Sequence, residues 1–157
     1  MLSDALFHPL DLDAALENAD EDAVIDILVA ALTDRRARGD KAVVEYVGVL
    51  LERCQEAGRE RDAIDSLQVI AGLEPAIAGT LAAEVALLHA DLGERAAALE
   101  VLRRQYAVER SLLPADKDLD FYASAALTAD GLGDADLARS LVLDGLTSAM
   151  EVDDSAA

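Results

Sequence analysis

The chain has 157 residues, 53% of them apolar, enough for one sizeable core, and its 3% aromatic content without Trp beside abundant Ala, Leu, Asp and Glu favours helices over strands. With 32 acidic against 13 basic residues the formal net charge is −19, which repels phosphate backbones and anionic membrane surfaces and excludes nucleic-acid binding. No apolar run reaches bilayer length, Met1 to Leu10 lacks the basic start and long apolar stretch of a secretory signal, and the lone Cys54 can form no internal disulfide, so a soluble cytoplasmic protein is expected.

Apolar residues recur with a period of about 3.6 almost throughout. In chain order the stripes are Val24, Ile27, Leu28, Ala31 and Leu32; Val43, Val47, Leu50, Leu51 and Cys54; Ala63, Ile64, Leu67 and Ile70; and Leu81, Val85 and Leu88. Three more follow: Ala98, Leu99, Leu102 and Tyr106; Tyr122, Ala125, Ala126 and Ala129; and Leu137, Ala138, Leu141, Val142 and Leu146. Short breaks with turn chemistry separate them, at Asn18 to Asp22, Gly39-Asp40, Ala57-Gly58, Glu74-Pro75, Leu92-Gly93, Pro114 to Lys117 and Gly131 to Asp134. Pro75 suits the first turn of the next helix, and Gly58, Gly93 and Gly133 suit left-handed C-caps. Seven helices are predicted, with a short one near Asp11 to Glu17 between Pro9 and Asn18. The tail, 151–157, is expected to fray as a flexible acidic end.

A repeat joins these elements. Gly58 precedes Ala63 and Leu67, Gly93 precedes Ala98 and Leu102, and Gly133 precedes Ala138 and Val142, each at the same spacing. The glycine permits a tight reversal and the alanine permits close approach of the two helices. The three glycines lie 35 residues apart (58 to 93) and then 40 (93 to 133), the extra length falling in Ser111 to Asp118.

With these residues the chain resembles the tetratricopeptide repeat family, most clearly over Tyr46 to Pro75, where Gly58, Ala63, Leu67 and Pro75 match the family's spacing. The second unit keeps Ala86, Gly93, Ala98 and Leu102, with its proline displaced to Pro114; the third keeps Tyr122, Ala126, Gly133, Ala138 and Val142. A degenerate first unit lacks the turn glycine. The aromatics usual in the family's first helix are mostly replaced by Val47, Leu50, Val85 and Leu88. The resemblance implies an all-α, right-handed α-α superhelix of about seven to eight antiparallel helices. It divides as an N-terminal region 1–40, three hairpins over 41–150 and the tail 151–157, within one structural domain.

Candidate chemistry is sparse. Cys54 lies on an apolar stripe, where a thiol acts as a small hydrophobe, and Glu52 and Glu56 would raise its pKa. His89 sits at the place in the next repeat equivalent to Cys54, but zinc needs three or four ligands and the pair has no third beyond distant His8. His8 beside Asp11 and Asp13 offers a weak divalent site, read instead as an extension whose Asp11 or Asp13 caps a helix. The acidic runs lack the spaced ligands and glycine of a calcium loop, and no phosphate loop, nucleophile elbow or zinc-protease helix is present. Neither an enzyme, a metal nor a cofactor is expected.

Stacked hairpins present the first helix of each pair on a concave face. That places Glu45, Gly48, Glu52 and Glu56, then Ala83, Glu84, Leu87 and Asp91, then Ala123, Leu127 and Asp130 on an acidic groove suited to a basic or apolar partner segment. The basic and asparagine clamp with which some family members hold an acidic tail is absent. An adaptor or scaffold subunit is expected, the alternative being a small acidic chaperone that keeps a client soluble; a ligand sensor or enzyme using His89 and Cys54 is a third reading. Self-association through an uncapped end is expected, with Val24, Leu28 and Leu32 as the candidate dimer contact.

Overall fold

The computed structural model describes residues 15–17, 19–33 and 42–156. His8, Pro9, Asp11, Asp13, Asn18, Arg35 to Arg38 and Gly39-Asp40 lie outside these residues, and of the short helix expected at 11–17, residues 15–17 are helical. Among the described residues there is no strand, and seven longer α-helices follow one another: α1 (Glu21–Thr33), α2 (Ala42–Ala57), α3 (Glu60–Leu73), α4 (Ala78–Asp91), α5 (Arg95–Arg110), α6 (Leu119–Gly131) and α7 (Ala135–Ala156). None of the described helices is long and apolar enough to cross a membrane.

The chain divides into two compact units, Met1–Glu74 and Pro75–Ala157, where one domain was expected. The boundary falls at a proline, which has no amide with which to prolong α3; that helix ends with the Glu74 N–H donating to the Ile70 carbonyl at 2.8 Å.

In the first unit α1 starts at Asp20, whose Oδ1 accepts the Ala23 N–H at 2.8 Å, with Glu21 and Asp22 favourably placed in the first turn. Helix α1 packs on both members of the α2–α3 hairpin. Ile25, Leu28, Ala31 and Leu32 are buried there, together with Val47, Leu50 and Cys54 of α2 and Ala63, Ile64, Leu67 and Ile70 of α3. Ile25, absent from the expected stripe, is fully buried because two helices rather than one cover α1. Arg59 ties the hairpin turn to α1, its guanidinium donating to Asp26 at 2.9 Å and to Asp62 of α3 at 2.7 Å.

This packing corrects the expected dimer contact. Leu28 is 0% and Leu32 2% exposed, and Val24 is half-buried, so these side chains serve the unit's own core rather than an open face.

In the second unit two hairpins, α4–α5 and α6–α7, pack through α4 and α6. The core joins Ala83, Ala86, Ala98 and Leu102 to Phe121, Tyr122, Ala125, Ala126, Ala129, Ala138 and Leu141. Pro75 and Pro114 each open a single 3-10 turn, Pro75–Ile77 before α4 and Pro114–Asp116 before α6. Pro75 therefore leads into the next helix through a tighter turn rather than lying in its first α turn.

All three hairpins turn in the same way. Gly58, Gly93 and Gly133 have φ of 67°, 76° and 84°, the region an L side chain enters only with strain. Around each, the next residue's amide reaches back five positions: Arg59 to Cys54 at 2.8 Å, Glu94 to His89 at 2.8 Å and Asp134 to Ala129 at 2.9 Å. The glycine amides reach back three, to Gln55, Ala90 and Asp130, completing three Schellman caps. Ala63, Ala98 and Ala138 are buried where the helices of each pair approach.

The expected frayed tail is helical instead: α7 continues unbroken to Ala156. No glycine or proline follows Gly145, so nothing in the local sequence stops the helix.

Candidate binding face on the first helices

The expected groove residues fall on the first helix of each hairpin, α2, α4 and α6. In the first unit Glu45, Gly48, Glu52 and Glu56 are all exposed along α2. In the second unit α4 exposes Leu87 at 40% and Asp91, while α6 exposes Ala123, Asp130 and, at 77%, Leu127. Leu87 and Leu127 are one repeat apart, 40 residues, on helices that pack together, so the same position bares a leucine twice.

Ala83 is the exception. It is 3% exposed and belongs to the core cluster with Phe121 and Tyr122, because α6 lies over that side of α4; an alanine there is a packing requirement, not a contact for a partner. Glu84 is half-buried, and burial pushes its carboxyl above the ordinary carboxylate range.

On α2 the Arg53 guanidinium pairs with Glu56 of this face at 3.3 Å, while two arginines of α5 are engaged away from it. Arg103 pairs with Asp134, and the Arg104 guanidinium with Glu100 at 2.7 Å. Asp134 also accepts the Leu137 N–H at 3.1 Å as the cap of α7, and that bond, followed by Arg103, holds its carboxyl below the usual range. Arg95 donates to the Leu132 carbonyl at 2.6 Å, so α5 grips the α6–α7 turn from two points.

Cys54 and His89 occupy the same place in successive repeats, each giving its carbonyl to the Schellman bond. Both are buried, Cys54 in the first unit and His89 in the second. Burial pushes the Cys54 thiol up, Arg59 opposes it, and Asp62 and Glu60 add to it, in place of the Glu52 and Glu56 anticipated from sequence. The His89 Nδ1 has no hydrogen bond and faces the Glu94 carboxylate at 3.8 Å. Among the described residues no group of three or more His, Cys, Asp and Glu side chains is placed to hold a metal ion.

Two features escaped sequence reasoning. An open cleft of about 790 Å3 lies between Pro75, Thr80 and the segment from Leu112 to Asp120, and an apolar groove of about 240 Å3 lies between α6 and α7. The signal for the second was present as Gly145 and Ala149, small residues one turn apart on α7, but its meaning depends on which face α6 leaves open.

No family model matches the sequence, and no curated protein does. Among solved structures, one crystal structure of MamA is 17% identical, the match covering 95% of this chain and 79% of that one with a TM-score of 0.54. A second MamA structure is 18% identical over 91% of this chain and 70% of that one, with a TM-score of 0.52. What these two likenesses establish is the fold: the chain is an all-α helical repeat built from tetratricopeptide-like hairpins.

Proposed function

We propose that the protein is an interaction module, an adaptor or scaffold subunit, that binds a partner segment with apolar anchors flanked by Lys or Arg along its first helices. The observation that carries this reading is the repeated exposed leucine, Leu87 and Leu127, with the carboxylates of Asp91 and Asp130 beside it. An exposed leucine costs stability nothing when single, but one repeated in register on packed helices supplies two anchor points for one ligand. A net charge of −19 favours a cationic partner and speeds its encounter.

The test is affinity capture from the native host with the wild-type chain and a Leu87→Asp/Leu127→Asp variant, followed by titration of the captured segment. A partner retained by the wild type and lost by the variant, with binding weakened by added salt, supports the reading; equal retention overturns it.

A client-holding chaperone is the second reading, favoured by apolar side chains as exposed as Leu113 at 70% and Met150 at 66%. It predicts unfolded clients without fixed stoichiometry, where an adaptor holds a folded partner in a defined ratio. Burial of Cys54 and His89 in separate cores gives no support to a ligand sensor built on them.

A further inference from the structure

The apolar groove of the last hairpin is walled by Leu119, Tyr122 and Ala123 of α6 and by Val142, Leu146 and Ala149 of α7. One repeat earlier, 40 residues back, the same positions on α4–α5 are Gly79, Ala82, Ala83, Leu102, Tyr106 and Glu109. All six engage α6 or the turn that begins it. A Cβ on Gly79 would stand 3.0 Å from the Phe121 Cβ. Ala83 and Leu102 are buried in one cluster with Phe121 and Tyr122, and Ala82 packs against it. The Tyr106 ring meets the Tyr122 ring edge-on at 6.1 Å, and the Glu109 carboxylate accepts the Asp118 N–H at 2.9 Å. The molecule thus contains a filled version of its own open groove, and the filling is a helix.

We infer that the α6–α7 groove seats an amphipathic helix of a partner protein, with bulky apolar residues on one face and Lys or Arg at its ends. Groove residues recur at helical spacing on both walls, as they do around α6, so a helix fits where an extended segment would leave gaps. The open groove differs from the filled one in two respects. Ala149 stands where Glu109 accepts the amide that starts α6, so that position of the open groove carries a methyl group in place of a buried carboxylate. Ala149 and Leu146 replace Glu109 and Tyr106, leaving room for larger apolar side chains than the alanines of α6.

Charge selects the ends. Asp120 follows the groove residue Leu119, and Glu151 and Asp153 follow Ala149, all exposed; toward the α6–α7 turn the exposed Asp130 and Asp136 outnumber the exposed Arg139. A second copy of this chain fits poorly: its α6 is committed to its own core, and its α7 carries the same acidic ends. This surface shares Ala123 of α6 with the first-helix face but is otherwise built on α7, whose Val142 and Leu146 are the residues by which the inference is tested separately.

The experiment uses the full chain, isotopically labelled, and a synthetic helical peptide with leucines every three and four residues and lysines at both ends. Saturable binding is expected, with amide shifts concentrated at Leu119, Ala123, Val142, Leu146 and Ala149. Leu146→Asp, at a 59% exposed position, is expected to weaken binding by about tenfold or more, while Val69→Asp, at a 48% exposed position on α3 of the first unit, leaves it unchanged. A proline-interrupted peptide and a glutamate-flanked one are each expected to bind at least about tenfold more weakly. Should Leu146→Asp lose helicity, Val142→Lys, at a 47% exposed position, replaces it with the same expected loss. Undiminished binding by the folded groove variant, equal binding of the proline-interrupted peptide, or no saturable binding overturns the inference. So does light scattering that shows a dimer which the groove variant dissociates, since the occupant is then a second copy.

Discussion

The Glu109 carboxylate, only 3% exposed on α5, accepts the backbone N–H of Asp118 at 2.9 Å and so fixes where α6 begins. Asp118 passes the connection on: its Oδ1 caps α6 by accepting the Phe121 N–H at 3.1 Å, and its Oδ2 accepts the Thr80 hydroxyl of α4 at 2.9 Å. Three helices are held through two acidic side chains. Glu109→Ala leaves a buried amide unsatisfied and is expected to destabilise the second unit by roughly 2 kcal/mol, with Glu109→Gln, which keeps an acceptor, costing less. Urea denaturation followed by circular dichroism checks the order of the two variants.

Gly79 sits against the same network. A Cβ there would lie 2.8 Å from Asp118 Oδ2 and 3.0 Å from both Glu109 Oε1 and the Phe121 Cβ. Gly79→Ala is therefore expected to cost about 1 to 3 kcal/mol despite the higher helix propensity of alanine, because α4 and α6 must separate. A thermal melt no lower than that of the wild type would contradict this packing.

Two glycines flanking the α6–α7 turn should behave oppositely. Gly133 has φ of 84° and is expected to lose about 1 kcal/mol on replacement by alanine. Gly131, two residues earlier, ends α6 with open space around it, so Gly131→Ala is expected to be neutral or to stabilise by about 0.5 kcal/mol. Paired denaturation curves would reveal a failure as equal shifts.

Tyr122 is 2% exposed, and its buried hydroxyl has no hydrogen-bond partner. Removing the hydroxyl removes a desolvation cost, so Tyr122→Phe is expected to leave stability unchanged or raise it by up to about 1 kcal/mol. A loss of stability would show that the hydroxyl is satisfied in solution.

Alkaline pH probes the same contact. Burial, reinforced by the bond from the Tyr106 hydroxyl to Asp144, pushes the Tyr106 phenol up to about 12, and burial with the charges of Glu109 and Asp144 does the same for Tyr122. Both phenols are raised above their unfolded value of about 10, so the stability they contribute is full below pH 10 and is lost as pH rises through about 12. Melting temperature should fall across that window, and less steeply in a Tyr106→Phe variant.

Much of the fold was legible because its determinants are local. Gly58, Gly93 and Gly133 announce their turns through a backbone conformation only glycine adopts freely, and Ala63, Ala98 and Ala138 follow at a spacing set by helix geometry. The candidate face was legible in part: Leu87, Leu127 and the α2 carboxylates are exposed as expected, whereas Ala83 is not, because periodicity orients a residue on its own helix without saying which neighbour covers it. Leu28 and Leu32 were misjudged for the same reason, since an apolar stripe reads alike whether it meets another helix or solvent.

The sequence by itself determined the helices, their turns, the repeat and the sign of the charge, all of which depend on residues within a few positions of one another or on simple sums. Tertiary structure alone decided that Glu109 would cap a helix nine residues further on, that α6 would fill the groove of α4–α5, and that the matching groove of α6–α7 would stay open. Those outcomes depend on contacts between elements, where a side chain's role is fixed by what packs over it rather than by its place in the repeat.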